Sequence, residues 1–392
     1  MKIVYSLPHP ADKLKSEQAG HTIRATAMLG ALEQLGHEIV RVEAASSGQS
    51  QTAVNVYRKV FKRLLPRPIA MRMRDMARVK YSRGYAQRLL KVIEENQPDI
   101  ILETHIAFSL AGKIASEQTG LPLVLDDVAP SWEEETEYGV GAKQLARDTH
   151  KEVTTQASML VAVSEAIRGF LIEDGVPNEK IVTISNGIRG DLFHTKVDGT
   201  PRRNENGIAD DAIVIVFLGS FQPFHRVDLL LEAAAKLETD QKIHLFLVGG
   251  DKRVPEYEAM AHKLGLADIA TFTGRIPYED VASYIAAGDI AIIPATSSYT
   301  NPMKLYEYMA LGKAVLAPRQ PNVVEIATHD ENAYLFEPED LDSMIAALKI
   351  MIEDAPLREK LGNNAAKRGA ENTWMKRGEI LEAGLKKILS TK

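Results

Sequence analysis

The 392-residue sequence contains no cysteine. That excludes disulfides, cysteine-ligated zinc, iron–sulfur clusters and thiol nucleophiles together, and it fits a reducing compartment. No run of about 18 apolar residues occurs, so no segment reads as a membrane span. The opening MKIVYSLPHP is an apolar strand broken by prolines, too short for a secretion signal's hydrophobic core. The expectation is a soluble, cytoplasmic protein. Several catalytic signatures are missing too. No G-x-G-x-x-G follows a strand candidate, and neither H-E-x-x-H nor G-x-S-x-G occurs. Gly312-Lys313 is followed by Ala314 and lacks the upstream glycine of a P-loop. Asp126-Asp127 are adjacent on an extended segment, so their side chains point to opposite faces and do not chelate a metal jointly.

What is present is ordinary in bulk, at 45% hydrophobic and 26% charged residues, but uneven in charge. Between Arg58 and Lys91 stand twelve Lys and Arg residues against one acid, Asp75. This block carries +11 inside a chain of net −6, leaving −17 for the rest, and it points toward an anionic partner.

Short β-rich runs alternate with helical stretches, the pattern of parallel sheets flanked by helices. The first half offers strands Lys2–Leu7, Glu38–Glu43, Asp99–Glu103, Leu121–Leu125, Met159–Val163 and Ile181–Ile184. Helices Thr22–Leu35 and Ser164–Glu173 lie among them, the second opening on a capping serine. The polar stretch Asp198–Asp211 reads as a linker. Beyond it come strands Ala212–Leu218, Ile243–Val248, Ile269–Thr273, Asp289–Ile293 and Ala314–Ala317. Helices Val227–Leu237, Glu256–Leu264, Tyr278–Ala287 and Met303–Leu311 fall between these, and helices fill most of Leu341–Leu389. Two α/β units result, and ligands of such sheets bind at the carboxyl ends of the strands, in a cleft expected between the facing units.

Three loops of the second half carry the chemistry. In PATSSYTNPMKLYEYMALGKAVLA a strand ends at Pro294, and a helix starts at Met303 after Asn301-Pro302. Free N–H groups at that helix start suit an anion, and Lys304 adds a charge that works against the helix dipole unless an anion is there. Glu307, one turn on, can accept hydrogen bonds from ribose hydroxyls; an exposed Lys–Glu pair on an ordinary helix explains the spacing equally well. In FLGSFQPFHRVDLLLEA, Gly219 ends a strand and His225-Arg226 precede a helix. In Phe272-Thr273-Gly274-Arg275-Ile276-Pro277 a strand meets a turn whose backbone can pair with a base edge, or is simply a turn. In the first half Gly20-His21 open a helix, and His105 lies just past a strand, where histidine can bind sugar hydroxyls or serve only as structure.

The ordered strings GALEQLGHEIV, LVAVSEAIRGFLIEDGVPNEKIVTISNGI, FLGSFQPFHRVDLLLEA, LVGGDKRVPEYEAMAHKLGL, TFTGRIPYEDVASYIAAGDIAIIPA and NPMKLYEYMALGKAVLA resemble family 4 of the retaining glycosyltransferases, a subgroup with a P-x-K-L-x-E-Y-M helix. The resemblance runs from Met1 to about Trp374 and leaves out the basic stretch Arg58–Arg83. It implies the GT-B fold: residues 1–196 as an acceptor-binding Rossmann-like domain, 197–374 as a nucleotide-sugar-binding one, and 375–392 crossing back to the first. It implies a UDP- or GDP-linked sugar as donor, no cofactor, no metal and no nucleic-acid partner. Glu307 then matches the ribose-binding glutamate, Lys304 with the amides of Met303 and Leu305 the diphosphate turn, and Arg275 and Ile276 the base turn. Gly20 matches the phosphate-side loop and His105 a sugar contact. Asn186, Gly187, Gly219, Phe221, Asn301 and Pro302 complete the donor candidates, with His21, Arg24 and Asp127 for the acceptor.

The sequence departs from the family where its first glutamate becomes Tyr299 and its phosphate-binding Arg and Lys become Ser220 and His225. The implied reaction is front-face transfer with retention, the leaving diphosphate stabilised by Lys304, Arg226, His225 and the helix start in place of a divalent cation. Two alternatives share the fold, a degenerate nucleotide-sugar-binding partner of an active transferase and a sugar-nucleotide 2-epimerase. The basic segment, interleaved with Phe61, Leu64, Leu65, Ile69, Met71, Met73, Met76 and Tyr81, suits docking at the inner face of an anionic membrane, near a lipid-linked acceptor. Covering the acceptor cleft, or binding an anionic glycan, fits the same segment.

Overall fold

Near-continuous apolar runs give strands buried on both faces, the condition of a parallel sheet covered by helices. The computed structural model describes residues 1–8, 20–43, 66–130, 139–250 and 252–390. Among these, two six-stranded parallel sheets form. The first contains β1 (Lys2–Leu7), β2 (Glu38–Glu43), β3 (Ile100–Thr104), β4 (Leu123–Asp127), β5 (Met159–Ala162) and β6 (Ile181–Thr183), in spatial order β2-β1-β3-β4-β5-β6. The second contains β7 (Ile213–Gly219), β8 (Ile243–Gly249), β9 (Ala270–Phe272), β10 (Ile290–Ile292), β11 (Ala314–Pro318) and β12 (Tyr334–Phe336), in order β12-β11-β10-β7-β8-β9. Ile3, Val4, Ile101, Val124 and Leu160 in one sheet, and Ile215, Phe217, Leu245 and Val315 in the other, are sealed from solvent. Each such side chain contributes about 1.5–3 kcal/mol.

The chain divides into two compact units, Met1–Ser185 with Arg377–Lys392, and Asn186–Lys376. The division falls eleven residues ahead of the boundary read from the sequence, and the polar stretch Asp198–Asp211 is no linker. It lies inside the second unit and forms helix Thr200–Glu205, with Pro201 in its first turn. Arg202 donates to Ser283 and Asp280, and Arg203 to the Ala287 carbonyl and Asp289. Arg202 and Arg203 thus anchor the stretch that the sequence presented as a linker.

In each sheet the strand order reverses once, between β1 and β3 and between β10 and β7. Crevices open at such points, beyond the carboxyl ends of the strands. In the second unit the β7 and β10 loops meet there under helix Met303–Ala310. Tyr308 of that helix pins the point, its hydroxyl accepting from the Leu218 amide at 2.8 Å. Helix Ala355–Ala370 presses on the same helix so closely that a Cβ at Gly369 would lie 2.4 Å from the Ala310 nitrogen.

The basic segment is a helix from Arg67 to Asn96 as far as it lies in the described residues; Arg58–Leu65 fall outside them. Asp75, its single acid, is fully buried and accepts from the amides of Gly141 and Ala142. The last helix, Trp374–Ser390, begins in the second unit and runs into the first, where Leu381 and Leu385 are buried.

Candidate functional site

The second unit assembles its candidate residues at the β7/β10 reversal. Helix Met303–Ala310 starts after Pro302 with no side-chain cap on its free amides. The Lys304 ammonium is buried there and finds no hydrogen-bond partner. It sits 4.7 Å from the centroid of the Phe217 ring, a cation on an aromatic face. A Cβ on Gly219 would lie 3.0 Å from the Lys304 nitrogen and 3.1 Å from the His225 ring, so glycine leaves this space to the two side chains. Burial pulls Lys304 down to about 7, against the opposing pull of Glu307. Burial and then Lys304 hold His225 well below the usual histidine range, and its Nδ1 also lacks a partner. An anion reaching this point would satisfy both groups at once.

Glu307 is buried and accepts from the Tyr278 hydroxyl at 3.1 Å. Burial raises it to about 7, the Tyr278 bond and Lys304 acting the other way. The exposed Lys–Glu pair that spacing allowed does not form. Asn301 accepts from the Asn186 amide at 2.8 Å, and the Asn186 side chain donates to the Asn301 carbonyl at 2.7 Å, locking the loop ahead of the helix. Gly187 packs against Trp374, and Phe221, in the left-handed region at φ 55, against Phe217, Tyr257 and Phe272. Arg275 and Ile276 follow β9 beyond Gly274, Arg275 being exposed.

Arg226 is engaged elsewhere, its guanidinium paired with Asp228 and Glu339. Of the departures from the family pattern, Tyr299 is buried and Ser220 exposed.

In the first unit, Gly20 and His21 open helix Gly20–Gln34 after β1, and His105 follows β3, on the two sides of the β1/β3 reversal. The adjacent carboxylates of β4 point apart. Asp126 takes the Arg24 guanidinium through Nε at 2.9 Å and Nη2 at 2.8 Å. Arg24 is thus consumed inside the fold, and also donates to the Ile184 carbonyl. Asp127 meets His150 of helix Lys143–Gln156 at 2.8 Å, and the His150 ring stands edge-on to His105 at 5.0 Å.

His150 escapes a sequence reading. It lies mid-helix in the polar string KQLARDTHKEVTTQ, with no strand end or glycine beside it. The one available cue was helical period, since Ala146, Thr149, His150 and Val153 form its buried stripe.

Comparisons with known proteins match both halves of the chain. Residues 199–368 match the family described as Glycosyl transferases group 1, and residues 19–191 match Glycosyltransferase Family 4. A D-inositol 3-phosphate glycosyltransferase of Geodermatophilus obscurus is 24% identical over 317 residues, covering 76% of this chain and 69% of the relative. Among solved structures, Anabaena HepE in complex with UDP aligns with TM-score 0.76 at 17% identity, over 99% of this chain and 100% of that one. Sucrose-phosphate synthase from Thermosynechococcus elongatus aligns with TM-score 0.78 at 16% identity, over 100% and 99%. The fold is GT-B, built from two Rossmann-like units with parallel sheets.

Proposed function

We propose that this chain, whose two units each match a glycosyltransferase family, moves a sugar from a nucleotide-diphosphate sugar to an acceptor with retained anomeric configuration and without a metal ion. The observation that carries the proposal is the unpartnered, buried ammonium of Lys304 at an uncapped helix start. A diphosphate supplies the missing acceptor atoms, and the helix dipole adds to the attraction. Glu307 holds the ribose hydroxyls, with Tyr278 orienting its carboxylate, and Arg275 and Ile276 meet the base. UDP is the favoured nucleotide, because HepE was solved with it, with GDP as the alternative.

As the bond between the anomeric carbon and the diphosphate oxygen breaks, negative charge grows on the oxygen beside Lys304 and His225. Preorganised cations and amides stabilise that charge without reorganisation. The acceptor hydroxyl attacks from the same face and its proton passes to the departing phosphate. His105 orients the transferred sugar, and the first unit, with His21 and Asp127, receives a glycan, lipid-linked or small-molecule acceptor.

Thermal shift against a panel of nucleotide sugars, followed by product analysis, tests this. The expected result is a melting-temperature rise with one nucleotide series and an α-linked product from an α-linked donor. Inverted product overturns the mechanism, and the absence of any nucleotide response overturns the function. Binding without transfer to any acceptor favours a degenerate binding partner, a reading that Tyr299 and the engagement of Arg226 keep open.

The helix Arg67–Asn96 supports a membrane contact. Ile69, Met73 and Met76, exposed by 49%, 49% and 59%, share one face, interspersed with exposed Arg72, Lys80 and Arg83. Among the described residues no helix is long and apolar enough to cross a membrane. The contact is therefore peripheral, each cation near an anionic surface adding about 1 kcal/mol. The protein should pellet with anionic vesicles at low salt, less so at high salt, and not with neutral vesicles. Failure to pellet at low salt overturns the docking.

A further inference from the structure

A second histidine stands behind His105 with no role yet given to it. His150 lies 1% exposed in helix Lys143–Gln156, its Nε2 2.8 Å from Asp127 and its Nδ1 3.9 Å from Asp174. Asp174 is bound in turn by Arg147 at 2.7 Å. The His150 and His105 rings meet edge to face, 5.0 Å apart at 68°. Main-chain pairing fixes the frame, since the His105 amide donates to the Asp126 carbonyl one residue before Asp127. Both histidines and both carboxylates are buried.

We infer that His150, braced on Asp127, is a positioning residue that holds the His105 imidazole in one orientation at the β1/β3 reversal, so that it meets a sugar as a neutral hydrogen-bonding group. This rests on the assignment of His105 as the sugar contact.

Charge supports the geometry. Burial lowers His150, but Asp127 and Asp174 outweigh it and leave it raised, with Arg147 opposing. Burial raises Asp127, and His150 more than reverses this. Burial first and His150 second press His105 down to about 4, against Asp127. The proton of the cluster therefore resides on His150, and His105 stays neutral at physiological pH. Lys113 of the neighbouring helix Ala111–Thr119 spends its charge on Glu117 and Glu152.

The test compares His150→Phe, which keeps a ring without the Asp127 bond, with His150→Gln, whose amide can reach Asp127. The full chain is used, with the nucleotide sugar that the wild type turns over. The expectation is that His150→Phe lowers kcat by about tenfold or more, since small displacements of an orienting group are costly. UDP affinity should be unchanged, because the nucleotide is held by the other unit, and His150→Gln should recover most of the loss. Equal kcat in all three proteins overturns the inference, as does a loss of UDP affinity matching the loss of kcat.

Histidine-selective NMR gives a readout free of turnover. The His105 ring resonances should shift and broaden in His150→Phe and stay sharp in His150→Gln, and resonances that stay sharp in His150→Phe overturn the inference. If the wild type transfers no sugar, the proposed function has failed and the NMR comparison alone decides on His150. If His150→Phe does not fold, His150→Gln and Asp127→Asn carry the comparison.

Discussion

Replacing Lys304 with methionine is expected to raise the melting temperature of the free protein while cutting sugar transfer by about a hundred- to a thousandfold. The two effects share one cause. The charged ammonium is buried without a hydrogen-bond acceptor, so the folded protein bears a desolvation cost that a bound anion relieves. Methionine fills the same space against Phe217 and removes the cost together with the function.

The pH dependence fixes the sign. Burial takes Lys304 from 10.5 down to about 7. Between those values the unfolded chain binds the proton that the folded chain releases, so stability rises with pH across this window. Below about 7 the cost of the buried charge is felt in full. Glu307, raised from 4.5 to about 7, gives the opposite slope between those two values. Lys313, which burial lowers to about 8, adds to the rising slope above that value, so the difference between the wild type and Lys304→Met above pH 7 is what isolates Lys304. A diphosphate should restore the lysine's proton. UDP binding at about pH 8 is then accompanied by proton uptake, read as a buffer-dependent enthalpy in calorimetry. Uptake that persists in Lys304→Met, or transfer that survives with an intact fold, would falsify the assignment.

Replacing Arg24 with alanine should cost about 3–5 kcal/mol of stability, because it strands a buried carboxylate. Arg24 is 1% exposed and gives Asp126 three hydrogen bonds, with a fourth to the Ile184 carbonyl. The pair joins helix Gly20–Gln34 to β4, so the loss should appear as a lower denaturation midpoint of the first unit. The double variant Arg24→Met with Asp126→Leu should regain most of it, since neither charge is then left unpaired. A loss below about 1 kcal/mol, at the level of ordinary surface substitutions, would count against the ion pair. A raised acceptor KM at unchanged stability would return Arg24 to the acceptor role suggested by its place in the sequence.

The contrast between Lys304 and Arg24 shows what a linear reading can reach. Lys304 was visible because a lysine in the first turn of a helix opposes the dipole, a local conflict that demands a reason. The strands were legible because burial on both faces leaves uninterrupted apolar runs such as FLV and IIL, and Ser164 because its cap is local, accepting from the Ile167 amide three residues on. Arg24, Arg202, Arg203 and Arg226 were not. Each is polar in sequence, yet each is satisfied by partners set by the tertiary fold, Arg24 by one 102 residues away and Arg226 in part by one 113 residues away. The same separation hid the Asp127–His150 contact and turned an expected linker into the anchored helix Thr200–Glu205.

The last helix has a consequence for biosynthesis. The segment Arg377–Lys392 completes the first unit, with Leu381 and Leu385 in its interior and Glu382 bound to His37. On the ribosome, segments emerge in order and domains close as they become complete. The second unit therefore has all its residues while the first, though synthesised earlier, still waits for its final helix. The older half of the polypeptide is the younger half of the folded protein, and its open hydrophobic seam is the surface a nascent-chain chaperone would meet.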